Sequence, residues 1–213
     1  EIIYQNIISL VPPPMKILDI GCGNGNFLKF LKKKEKPMEL TGIDLSENFY
    51  PGIKFIKADY NSFEIKDKFD VITNFMVIEH IKDVHSFIKK FISNSNDRNS
   101  WLIINTINNN SLIYVIARLM SKFGFRVAHD RLYSKHHLNH FTNKSLRTLV
   151  EKNGYKVIKH WNHNYTTKKI DVPKSGFLMG KLYKFGVIVM FGISNLIGNG
   201  HSQTLIANKE LRK

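Results

Sequence analysis

Three kinds of residue in this 213-residue chain stand at spacings suited to chemistry. The first is a run of glycines at every second position, Gly21, Gly23 and Gly25, entered through the strand-forming Ile17-Leu18-Asp19-Ile20 and left through Asn26-Phe27-Leu28, where a helical pattern begins. Glycine accepts a positive φ without a Cβ clash and lets a ligand lie against bare backbone. The helix start that follows adds amide donors and a partial positive field. The second kind is acid: Asp19 in the leading strand, Asp44 with Leu45 where the next hydrophobic run ends, and Asp59 with Tyr60 where the third ends. A carboxylate at a strand end can accept from two neighbouring hydroxyls at once. The third kind is imidazole, at His80 and in His136-His137-Leu138-Asn139-His140. An imidazole titrates near neutrality and can take a proton from a hydroxyl.

The glycine spacing narrows the ligand. A dinucleotide turn needs G-x-G-x-x-G, and Asn26 stands where its third glycine would be. The pattern is D-x-G-x-G-x-G, Asp19 to Gly25, followed by the acid Asp44 at the next strand end. In this the chain resembles the class I S-adenosylmethionine-dependent methyltransferases. The resemblance implies S-adenosylmethionine as cofactor and S-adenosylhomocysteine as product. It also implies that Asp19, Gly21, Cys22, Gly23 and Gly25 wrap the methionine and ribose portion, that Asp44 and Leu45 lie at the ribose, and that Asp59 and Tyr60 face the adenine.

Asn74, Phe75 and Met76 end the fourth predicted strand and should face the glycine turn across one crevice, since ligands of open α/β sheets bind at the carboxyl ends of strands where the strand order reverses. The run Val77-Ile78-Glu79-His80-Ile81 is similar to the Val-Leu-Glu-His-Val helix entry of the quinone O-methylating group. Asn74-Phe75-Met76-Val77 lacks the prolines of the Asn-Pro-Pro-aromatic run carried by nucleic-acid amino-methyltransferases. Some quinone-type relatives carry a further Glu three residues before the Glu-His pair and use a divalent metal; Met76 occupies that place, so no metal is expected. His137-Leu138-Asn139-His140-Phe141-Thr142 resembles the family's His-Leu-x-His-Phe-Thr, which implies His137 and His140 near the cofactor mouth and Thr142 as a helix cap. The three closely spaced histidines have no cysteine or carboxylate nearby at ligand spacing, which argues against zinc. The candidate bases are His80 and His140, then His137.

These groups need a scaffold. The order of apolar runs predicts an α/β chain, and the resemblance implies a Rossmann-like, doubly wound sheet of seven mostly parallel strands with an antiparallel last strand, plus helical insertions. One domain spans residues 1–213: a leading helix and proline linker (1–14), the cofactor-binding core (15–107), a substrate cap (108–141), a closing helix and strands (142–163 and 201–209), and a lid or insertion (164–200). Predicted strands cover residues 17–20, 39–43, 53–57, 69–74, 101–106, 155–163 and 202–207. Residues 47–52 are too few for a helical crossover, which usually takes about a dozen residues, so a turn is expected there. Phe75 to His80 is expected to run into a helix. The apolar stretch 185–197 is shorter than the roughly 20 residues a spanning helix needs.

The hydrophobic share of 43% fits a globular chain with a full core. The single cysteine, Cys22, rules out an intrachain disulfide and reads as a small filler of the turn. The formal charge of +15 fits an acidic substrate, an anionic membrane surface or nucleic acid, and the lysines are scattered through the chain. The expected function is methyl transfer to a polar, anionic small-molecule acceptor, as O-methylation. RNA methylation and a non-catalytic S-adenosylmethionine-binding role are the alternatives. No nucleic-acid partner is expected. The expected location is cytoplasmic, with weak membrane-surface contact through residues 181–198, and the oligomeric state is left open.

Overall fold

The computed structural model describes residues 1–96, 100–165 and 177–209. The apolar runs form seven strands: β1 (Met15–Ile20), β2 (Met38–Asp44), β3 (Lys54–Lys57), β4 (Val71–Phe75), β5 (Trp101–Ile107), β6 (Tyr155–His163) and β7 (Ser202–Lys209). They make one sheet in the order β3-β2-β1-β4-β5-β7-β6, with β7 antiparallel to both its neighbours. The chain runs outward from β1 through β2 to β3, then returns to pair β4 on the other side of β1. The strand order therefore reverses between β1 and β4, where the open-sheet rule places a ligand.

Side chains alternate across each strand, and this divides the core in two. Leu18, Ile20, Ile72, Leu102 and Ile104 point to the face covered by α3 (Val84–Asn94) and α6 (Asn143–Lys152), against Phe87, Phe91 and Leu146. Ile17, Val71, Ile103 and Ile206 point to the opposite face, with Leu28 and Leu31 of α2 (Asn26–Lys32) and Tyr4 and Ile7 of α1 (Ile2–Leu10). Each such side chain stabilises the fold by about 1.5 to 3 kcal/mol when fully buried. The helix starts are fixed by side chains as well. Asp83 accepts from the Ser86 amide at 3.0 Å to open α3, and Thr142 with Ser145 forms a capping box that opens α6, as the sequence predicts for Thr142.

The structure corrects one predicted element and extends another. Residues 75–80 do not enter a long helix: Met76 takes a positive φ of 57°, and Ile78–His80 form one 3-10 turn before the chain restarts at the Asp83 cap. A left-handed residue cannot continue a right-handed helix. Helix α7 (Phe177–Leu196) begins before the predicted apolar stretch. Among the described residues no helix is long and apolar enough to cross a membrane. Residues 45–53 hold no helix, in keeping with the short crossover. Residues 166–176 of the predicted insertion lie outside the described ones. The cap consists of α4 (Leu112–Lys122) and α5 (Val127–Leu132), and α4 packs against α5 and α7.

Candidate functional site

The glycine turn and the β2 acid meet directly. Gly21, Gly23 and Gly25 all hold positive φ, at 69°, 51° and 68°. Asp44 joins the turn to its own strand end by accepting from the Gly23 amide and the Ser46 amide, each at 2.9 Å. Asn48 donates to the Gly23 carbonyl at 2.6 Å, closing the turn from the other side. A Cβ at Gly21 would run into the Val77 side chain, whereas nothing stands within 4 Å of a Cβ at Gly23. That open space beside bare backbone is what a bound ligand requires of such a turn. Gly25 is the N-cap of α2, and the Phe55 ring fills the position its Cβ would need.

Two clefts flank Gly21. One, of about 330 Å³, is lined by Gly21, Asp44, Leu45, Asp59, Tyr60, Val77 and His80, among others. The other, of about 590 Å³, is lined by Asp19, Gly21, Cys22, Gly23, Phe75 and Met76 together with Asn105 and Tyr165. The predicted residues thus divide between two openings that share one glycine. Asp19 is buried, and burial, reinforced by the charge of Asp44, pushes its carboxyl up to about 7 against the hydrogen bond from Thr73. Cys22 is half-buried, and its thiol is pushed up to about 12 by burial, then by Asp19 and Asp44, which leaves it inert as a nucleophile. Asn74 lines neither cleft: it is buried and donates to the Ile20 carbonyl at 3.1 Å, tying β4 to β1. Tyr60 presents its ring side to the smaller cleft while its hydroxyl is committed to Asn94 inside the core at 2.9 Å.

The three candidate bases form a cluster with the buried Glu79. His80 faces the smaller cleft, and its Nδ1 lies 2.7 Å from the His136 carbonyl. A carbonyl only accepts, so Nδ1 carries a proton, which in the neutral ring leaves the lone pair on Nε2. The rings of His80 and His137 are 5.0 Å apart, and those of His137 and His140 are 6.1 Å apart. His137 and His140 line neither cleft. Burial lowers the His140 pKa, and His137 adds to the effect. Glu79 is fully buried: Thr106 donates to its Oε2 at 2.8 Å, and its Oε1 has no partner among the described residues.

The sequence places no carboxylate at ligand spacing from the histidine run, and the fold brings Glu79 to it from a distant segment. Glu79, His80 and His137 each bring a ligand atom within 4.8 Å of the others. Three donors of this kind are what an open divalent site takes. The separation in sequence between Glu79 and His137 is what conceals the grouping.

Asn105 and Tyr165, which line the larger cleft, were not singled out from sequence. Asn105 donates to the Gln203 carbonyl and the Thr204 hydroxyl, at 3.1 and 2.9 Å, and accepts from the Tyr165 hydroxyl at 3.2 Å. Its signal was an amide inside the apolar run of β5. Tyr165 carries no signal, because only the return of β7 brings it over the glycine turn. Its ring meets His201 edge-on at 4.8 Å, and His201 stacks on Phe191 of α7 at 5.0 Å. The insertion therefore reaches the larger cleft through Tyr165.

The profile of a methyltransferase domain family matches residues 4–160. The chain is 34% identical over 119 residues to the ubiquinone biosynthesis O-methyltransferase of Pelagibacter ubique (strain HTCC1062), covering 48% of this chain and 46% of that protein. It is 34% identical over 76 residues to the malonyl-[acyl-carrier protein] O-methyltransferase of Calditerrivibrio nitroreducens (strain DSM 19672 / NBRC 101217 / Yu37-1), covering 35% and 31%. The chain thus spans less than half the length of these curated relatives, and N-methyltransferases are also among those it matches. The crystal structure of a SAM dependent methyltransferase from Archaeoglobus fulgidus superposes with a TM-score of 0.63 at 16% identity, over 98% of this chain and 92% of that one. That likeness shows the fold.

Proposed function

The chain belongs to the methyltransferase domain family, and from that premise we propose that it transfers a methyl group from S-adenosylmethionine to a hydroxyl of a polar, anionic small molecule. One observation carries the reading: Asp44 and the Gly23 amide are 2.9 Å apart at the reversal of strand order, with open clefts on both sides of Gly21. The donor set fits the cofactor. Asp44 and Asp59 on the smaller cleft suit ribose hydroxyls and an adenine amino group, and Asp19 on the larger one suits an ammonium. S-adenosylmethionine, when bound, supplies a methyl group already activated by its cationic sulfur.

What remains for the protein is placement, exclusion of water and removal of a proton. Placement is worth about 7 to 11 kcal/mol. Phe75 and Met76 from the end of β4, with Asn105 and Tyr165, wall the larger cleft, and Tyr165 is backed there by His201 and Phe191. A hydroxyl acceptor needs a base. His80 supports that role because its Nε2 lone pair is held ready by the bond from Nδ1 to a carbonyl, and a positioned base adds a factor of about a hundred to ten thousand. His140, whose pKa burial and His137 lower toward the neutral form, is the next candidate, ahead of His137. The preference for oxygen over nitrogen rests on this base and on the likeness to O-methyltransferases. The net charge of +15 supports an anionic acceptor.

The test is incubation of cell extract with the protein and methyl-labelled S-adenosylmethionine, followed by untargeted mass spectrometry. Label in an O-methyl small molecule is the expected result. Label only in RNA, or only on nitrogen, would replace the acceptor assigned here.

A further inference from the structure

Among the described residues, the outer face of helix α7 has no partner. Gly180, Val187, Phe191 and Ser194 are buried among its described positions. The other side carries Phe185, Ile188, Val189, Ile193 and Leu196, exposed by between 40% and 88%. A helix apolar on all sides belongs in an interior, yet the described residues cover this one on one side only. The neighbouring elements repeat the pattern. Between α4 and α5, residues 122–127 read Lys-Phe-Gly-Phe-Arg-Val and are all exposed, Phe123 by 79% and Phe125 by 67%. Of the eighteen exposed large apolar side chains among the described residues, twelve lie on α4, α7 or the residues directly beside them. Scattered surface apolar residues need no account, but concentration on a few packed helices marks an interaction surface.

Charge selects the occupant. Residues 1–83 contain 11 basic and 12 acidic residues, whereas residues 84–213 contain 21 and 5, so the whole basic excess lies in the half that carries the cap. From residue 98 to residue 129 there is no acid at all, and none from 172 to 209. The single acid of α5, Asp130, is already within reach of Arg126 and His129. Lys122 and Lys184 are exposed beside the apolar side chains. A second copy of the chain would bring an equally basic surface against this one and be repelled. An anionic bilayer offers acyl chains to the phenylalanines and phosphates to the lysines.

We propose that the outer face of α4, residues 123–127 and α7 is a docking surface for an anionic lipid bilayer, on which the helices lie without crossing it. The surface is mechanically joined to the larger cleft. Asn164 donates to the Phe191 carbonyl and the Ser194 hydroxyl of α7, at 3.2 and 2.6 Å, and its neighbour Tyr165 lines the cleft. A docked chain would hold that cleft beside the lipid, within reach of an acceptor dissolved in it.

The test is flotation of the chain with phosphatidylcholine vesicles, with and without phosphatidylglycerol, at low and high salt. Binding to the anionic vesicles alone, weakened by salt, is expected. Lys122→Gln with Lys184→Gln should lower partitioning about 25-fold, at about fivefold per charge, and Phe123→Ser with Phe125→Ser should lower it further at any salt. Calorimetric binding of S-adenosylhomocysteine, which reads the cofactor site, should stay unchanged in both variants and so separates this proposal from the methyltransferase reading. Three results would overturn it: no binding to anionic vesicles, equal binding to neutral ones, or self-association lost in the phenylalanine variant in place of vesicle binding, which would give the face to a second copy.

Discussion

The cofactor-binding core and the cap hold their functional groups by different means. In residues 15–107 the groups sit at strand ends and are fixed by backbone: Asp44 is held by two amides, and Met76 donates its amide to the Asn105 carbonyl at 2.8 Å. In the cap and insertion they are fixed by side chains on side chains. Tyr133 is an example, stacking between His129 and His140 with both ring distances at 4.6 Å. The strand-end half should therefore govern affinity for the cofactor, which is common to many reactions, and the other should govern what is methylated and how fast.

The largest expected break in that division is at its border. His80→Ala should lower turnover with the acceptor about a hundred- to ten-thousandfold, well beyond any loss of S-adenosylhomocysteine affinity that its place on the smaller cleft brings; steady-state kinetics beside calorimetry checks this, and full activity would remove His80 as base. Asp44→Ala should do the reverse. Loss of charge-assisted hydrogen bonds at roughly 1.5 to 3 kcal/mol each, with release of the Gly23 amide, should weaken cofactor binding by about a hundredfold or more. Unchanged calorimetric affinity would take Asp44 out of the site.

A third effect separates the halves by pH. Burial, and then His163, pushes His201 down to about 4 from its ordinary 6.5. The unfolded chain takes up the proton first, so this contribution to stability is complete above about pH 6.5 and is lost as pH falls toward 4, a span of about 3 kcal/mol. His160 and His163, also lowered by burial, act in the same direction. Denaturant unfolding across this range should show the decline, and His201→Phe should flatten it. The smallest effect is at the cleft wall: Tyr165→Phe removes one hydrogen bond to Asn105, worth about 1 kcal/mol. It should raise the acceptor KM about fivefold and leave cofactor affinity alone.

The cofactor half was legible because its signals are local. A glycine turn, an acid one strand later and a short crossover lie within a few tens of residues, and each follows from what a backbone can do at that point. The short helix entry at 75–80 was misread because the left-handed turn at Met76 depends on contacts, not on residue type. Glu79 meets His137 across the fold, and Tyr165 meets Asn105 through β7, with nothing in the intervening sequence to announce either.

The sequence by itself determined the glycine turn, the succession of strands along the chain and the acids at their ends, since periodicity and special residues act over short distances. Only the tertiary structure decided that the acids divide between two clefts, that a buried carboxylate joins the histidines, and that one side of α7 faces outward. Those outcomes depend on the alternation of side chains across a finished sheet: on β5 it sends Asn105 toward the larger cleft and the adjacent Thr106 toward Glu79.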